Sequence, residues 1–225
     1  MAKKNYKNED EQLQEVNQAL STTEQWIEDN ANLLTWIIVA IVAVVLGVIA
    51  INNYVIKPKA AQANEENAKA VVYFQAGDFE KALNGDDAEC IGFAEIADNY
   101  KMYQTGKLAA LYAGICYYQL GDYQQAANYL KRFHADDVNI GPAANQLLGD
   151  AYVELQEYGK AVRAFENAAH SENELIAPMS LKKAGLVYLE MGDKHSAKHA
   201  FETIKTQYPQ SNEANDIDKY IEIAK

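Results

Sequence analysis

The chain has 225 residues, 49% hydrophobic and 23% charged, and its 20 Lys and Arg against 32 Asp and Glu leave a formal net charge of −12. That acidic excess excludes a nucleic-acid binder, whose affinity rests on a basic face that neutralises phosphates, and the length suits one domain or two. The charge is unevenly spread: −4 over residues 1–32, zero over 33–51 and −8 from residue 52 onward.

Residues 1–32 form an acidic, partly helical leader. Leu13, Val16, Leu20 and Ile27 recur at helical spacing, and Ser21 with Glu24, or Thr22 with Gln25, can form a capping box ahead of Trp26 and Ile27. Two readings stay open: a helix lying on a membrane or partner, and an unstructured acidic tail, whose charge would repel anionic lipid.

The next segment, 33–52, reads as a transmembrane helix. From Leu33 to Ile51 no residue is charged and only Thr35 is clearly polar. At about 1.5 Å per residue that run covers roughly 28 Å, close to the hydrocarbon thickness of a bilayer. A cleaved signal peptide would have a shorter apolar run and a basic rather than acidic approach to it. Trp36 and Tyr54 lie near the two ends, where amphipathic rings favour the membrane interface. The flanking charges do not fix the orientation. Lys57, Lys59 and Lys69 follow the segment while Gln14 to Asn32 contains no Lys or Arg, which favours a cytoplasmic C-terminal part. Lys3, Lys4 and Lys7 oppose this from further away.

From Pro58 the composition turns to Ala, Gln, Tyr, Glu and Lys, and an internal repeat appears. Its cores are Ala113-Gly-Ile-Cys-Tyr-Tyr-Gln-Leu-Gly-Asp-Tyr-Gln-Gln-Ala126, Leu148-Gly-Asp-Ala-Tyr-Val-Glu-Leu-Gln-Glu-Tyr-Gly-Lys-Ala161 and Ala184-Gly-Leu-Val-Tyr-Leu-Glu-Met-Gly-Asp-Lys-His-Ser-Ala197. Gly114, Gly149 and Gly185 are 35 and 36 residues apart, a period that signals stacked helical pairs. Each would let a partner helix approach closely, with Leu130, Phe165 and Phe201 filling the space between helices. Gly121-Asp122 and Gly192-Asp193 supply a left-handed helix end followed by an N-cap, and Gln156-Glu157 replaces them in the middle unit. Pro142 and Pro178 suit the first turn of a helix.

These positions resemble the tetratricopeptide repeat. The resemblance implies an all-α fold: one N-terminal transmembrane helix, then, over 58–225, an α-solenoid of about four units near 63–100, 107–140, 142–175 and 178–210, closed by a C-terminal capping helix over 211–225. The first unit is degenerate. Tyr73, Gly77-Asp78-Phe79 and Ala82 match, but Phe93 arrives seven residues late, so Asn84 to Gly92 reads as a loop inserted in the second helix. In the cap, Ser211 or Asn212 can start a helix through Ile217, Tyr220, Ile221 and Ala224, covering the exposed end of the array.

Carrying the family's groove positions over gives Phe74, then Leu108, Leu111, Ile115 and Tyr118, then Gln146, Asp150 and Val153, then Met179, Lys182, Leu186 and Leu189. The set is mostly apolar and suits an apolar or amphipathic peptide. A second reading is that the C-terminal helix occupies part of it.

No catalytic, cofactor or metal motif stands out. His195 and His199 have the i, i+4 spacing of helical metal ligands but no H-E-x-x-H context. Cys90 and Cys116 belong to no C-x-x-C pair and read as separate thiols.

Across nearly its whole length the chain resembles the bacterial envelope proteins of the YfgM type, the ancillary subunit of the SecYEG translocon, in versions from Bacteroidota. The stretches that carry this are Ala19-Leu-Ser-Thr-Thr-Glu-Gln-Trp-Ile-Glu28, Lys57-Pro-Lys59, Ala82-Leu-Asn-Gly-Asp86 and Leu111-Tyr-Ala-Gly-Ile-Cys-Tyr117. The resemblance implies an inner-membrane protein with a cytoplasmic N-terminus and a periplasmic repeat domain, meeting translocon subunits, exported chains or periplasmic chaperones. A long domain can cross regardless of flanking charge, so Lys57 and Lys59 do not exclude that topology. An envelope organiser for cell division or outer-membrane assembly and a cytoplasm-facing adaptor are the alternatives.

Overall fold

A computed structural model describes residues 26–86, 90–135 and 137–225. Leu13, Val16, Leu20 and the capping-box residues Ser21 to Gln25 lie outside the described residues. The chain divides into two compact units, residues 1–58 and 59–225.

In the first unit a helical turn over 26–29 leads to α1, Ala31–Ile51, in which no residue is buried. Within its charge-free run the Thr35 hydroxyl is satisfied locally, donating to the Ala31 carbonyl at 2.7 Å. The apolar sequence is thus matched by a helix long and apolar enough to cross a bilayer. A π-helical turn, Asn52–Ile56, follows, with the Lys57 N–H reaching back to the Asn52 carbonyl. In a regular α-helix the ring of Pro58 would collide with the carbonyl four residues earlier, and the wider turn falls where that collision is due.

Among its described residues the repeat unit is all-α apart from one pair of two-residue strands. Its helices pair as α2 (Lys57–Gln75) with α3 (Phe79–Asn84) and α4 (Phe93–Asn99), α5 (Gln104–Gln119) with α6 (Tyr123–Leu130), α7 (Ile140–Glu154) with α8 (Tyr158–Ala169), and α9 (Ile176–Glu190) with α10 (Lys194–Gln207). A 3-10 turn, Asn212–Asp216, and α11 (Ile217–Ile223) complete the chain.

The same turn joins each helix pair. Gly77, Gly121 and Gly192 have φ of 77°, 83° and 76°, and Gln156 takes 58° at the matching place. The residue after each returns its N–H to a tyrosine carbonyl five positions back: Asp78 to Tyr73, Asp122 to Tyr117, Glu157 to Tyr152 and Asp193 to Tyr188. That is the bond pattern by which a left-handed residue closes a helix. Asp78, Asp122 and Asp193 then cap the next helix, accepting from the N–H of Lys81, Gln125 and Ser196.

Packing between helices follows the glycines. A Cβ on Gly149 would lie 2.4 Å from the Phe165 ring and one on Gly185 2.3 Å from the Phe201 ring, while on Gly114 it would meet Leu130 at 2.7 Å. Phe93, Phe165 and Phe201 are all fully buried. Phe93 therefore does the work of its later counterparts despite its displacement, stacking on Tyr112 at 4.8 Å. Gly85–Asp86 and Cys90–Ile91 pair as antiparallel strands and split the unit's second helix into α3 and α4. Glu66 on α2 accepts from the Ile91 N–H at 3.4 Å and so ties the hairpin to the first helix.

At the other end, the Ser211 side chain accepts from the Ala214 N–H and starts the 3-10 turn, not α11 itself. Ile217 and Ala224 are buried with Phe201 and Ile204, and the Tyr220 ring lies 5.5 Å from that of Phe201. This covers the apolar end of the last helix pair, as a solenoid terminus requires.

Candidate binding groove

The groove positions fall on α2, α5, α7 and α9, and each helix presents them through 3-to-4-residue spacing. Phe74 is drawn into the first unit's interior, with ring contacts to Phe79, Phe93 and Tyr112 at 5.6, 6.1 and 5.0 Å. Leu111 is only 7% exposed and closes a small cluster with Leu130 and Ala144. Leu108 and Ile115 pack half-buried beside that cluster. Tyr118 and Val153 are half-buried against the middle core. Burial first, then the charges of Asp150 and Glu154, push the Tyr118 phenol above its ordinary value.

Polar bonds lock the neighbouring first helices together. The Gln146 amide donates to the Met179 sulfur at 3.0 Å. Lys183, which the groove assignment passes over, gives Asp150 both carboxylate contacts, at 2.8 and 2.6 Å. Lys182 reaches the Asp216 carboxylate at 2.6 Å and lies 4.9 Å from the centre of the Tyr220 ring. Its hydrogen bond is the main reason that the Asp216 carboxyl is held below the usual range.

The C-terminal segment thus engages the last unit, as the alternative reading anticipated, but only there. Lys182 is tied to it, and Leu189 joins the terminal cluster containing Ile217 and Ala224. Leu186, 41% exposed, is left open. The other apolar candidates, Leu108, Ile115, Tyr118 and Val153, are half-buried.

A second concavity, of about 450 Å³, lies among α8, α9 and α10. It collects Glu166, His170, Tyr188, His195 and His199, of which the sequence signalled only the i, i+4 histidine pair. The Tyr188 hydroxyl donates to Glu166 at 2.6 Å. Burial, then that bond and the Glu166 charge, raise the phenol to about 12. Among the described residues no three His, Cys, Asp or Glu are grouped to hold a metal. Cys90 and Cys116 are both free, and burial raises the Cys116 thiol to about 12, which makes it unreactive at neutral pH.

The sequence matches the family described as tetratricopeptide repeat-like domain over residues 24–222. No match was found among curated proteins.

Proposed function

Since the chain belongs to the tetratricopeptide repeat-like family and carries a helix able to cross a bilayer, we propose that it is a membrane-anchored protein-interaction scaffold working beside the translocon. The repeat domain is periplasmic and the N-terminus cytoplasmic. Exported chains or periplasmic chaperones dock along the apolar row from Leu108 to Leu186. The observation that supports the docking reading is that Leu186 stays exposed although the C-terminal segment covers the adjacent corner at Lys182. The translocon and the orientation come from the resemblance to the YfgM-type proteins.

Photo-crosslinkers at Ile115 and Leu186 test it in cells. Translocon subunits, chaperones or exported chains in the adducts support the reading, and a division or outer-membrane assembly component would replace it with an envelope organiser. A cytoplasm-facing adaptor is favoured by Lys57, Lys59 and Lys69. A reporter fused after Lys225 separates the two topologies, and activity on the cytoplasmic side would sink the translocon role.

A further inference from the structure

The groove's charges are not balanced, and the imbalance specifies its occupant. Both cations on α9 are already neutralised within the chain, Lys182 by Asp216 and Lys183 by Asp150. Two carboxylates are not. Glu154 and Glu190 are the last residues of α7 and α9, occupy the same place 36 residues apart, and are exposed. Among the described residues no cation lies within ion-pair distance of either, whereas Asp150 and Asp216 each have one at 2.6 Å.

Neither glutamate helps its own helix. A helix C-terminus carries partial negative charge and favours Lys, Arg or His there, so a carboxylate at the last position is locally unfavourable. One turn separates Glu154 from Asp150 and Glu190 from Leu186, so each shares a face with a groove residue. Glu154 also acts electrostatically on Tyr118 across the gap to α5. An incoming cation would relieve the carboxylate and the helix end together, while the apolar row beside it takes hydrophobic side chains.

We infer that the groove takes a peptide segment that carries Lys or Arg alongside its apolar residues. This rests on the docking role proposed above and narrows it: acidic amphipathic segments are rejected at the Glu154 and Glu190 edge, and basic ones are drawn to it.

The test uses the full chain in phosphatidylcholine nanodiscs and three fluorescent amphipathic peptides. These share one leucine face and differ only in bearing Lys, Gln or Glu on the other. With empty nanodiscs subtracted, affinity should run Lys over Gln over Glu, about tenfold from first to last, given the modest strength of exposed ion pairs. Added salt should shrink the gap. The double variant E154Q/E190Q should bring the Lys and Glu peptides to within about twofold, and Leu186→Asp should weaken all three. Equal affinities that Leu186→Asp still abolishes would overturn the basic-segment inference and leave the groove reading standing. Failure of every peptide to bind, or binding indifferent to Leu186→Asp, would overturn both.

Discussion

The third repeat turns on Gln156-Glu157 where the second and fourth turn on Gly121-Asp122 and Gly192-Asp193, yet the three turns have the same shape. Gln156 accepts a φ of 58° that glycine adopts without strain, and Glu157 still returns its N–H to Tyr152. The cap does not survive: the Glu157 side chain accepts from no backbone N–H at the start of its helix and pairs with the Lys160 ammonium at 2.5 Å instead. What the third and fourth repeats share without alteration is the phenylalanine pressed against a glycine, Phe165 on Gly149 and Phe201 on Gly185. The packing of the helix pair therefore holds the turn in shape, and the turn residues adjust it only at the margin.

Breaking the shared feature should do the most damage. Phe165→Ala empties a fully buried site and should cost about 3 to 5 kcal/mol, and Phe201→Ala a similar amount. Chemical denaturation of the full chain in detergent, followed by helical circular dichroism, measures both. A loss no larger than that of a surface substitution would mean that the turns, not the rings, carry the repeat. Gly149→Ala attacks the same contact from the other side. Its methyl group would meet the ring at 2.4 Å, an overpacking cost of about 1 to 3 kcal/mol from which alanine's better helix propensity returns up to about 1. Gly159, with nothing within 4 Å of a built Cβ, is the control. Gly159→Ala should be neutral or stabilising.

This division explains how much could be read beforehand. The repeat, its glycines and its buried rings were legible because close packing permits few residue types at fixed spacing. The apolar helix α1 was legible for a similar reason, since it admits no charge. The hairpin at Gly85 to Ile91 was not. Its strands are two residues long, too short for any alternation to show, and one is held by the hydrogen bond that the Ile91 N–H donates to Glu66, 25 positions away. Of the candidate groove residues, Phe74 packs inward on the Phe93 and Tyr112 rings, a contact that repeat position alone did not show because Phe93 arrives seven residues late. Lys183 was missed for a simpler reason. Its backbone position lies beside the groove set, and only its long side chain brings the charge to Asp150.

Restoring the turn residue should give a smaller effect of opposite sign. Gln156→Gly removes a left-handed non-glycine and should stabilise by about 1 kcal/mol, less the extra chain entropy that glycine brings to the unfolded state. An unchanged or lowered denaturation midpoint would show that Gln156 carries no strain.

The smallest effect lies in the caps and is read against pH. Hydrogen bonds from Ser196 hold the Asp193 carboxyl below its ordinary value. Because the folded-state value is the lower one, the stabilisation is complete above the unfolded carboxylate pKa and drains away as pH falls through the folded one. The fourth repeat should therefore lose its cap in acid, at the foot of the carboxylate range. Glu157 makes no such bond, so the third repeat has no equivalent cap to lose. Asp193→Asn should keep the neutral-pH melting temperature, since asparagine caps as well as aspartate, and flatten the acid limb. Glu157→Asp should do the reverse, raising neutral stability and adding an acid-sensitive step. If Asp193→Asn leaves the acid limb as steep as before, the cap difference between the two repeats has no energetic weight.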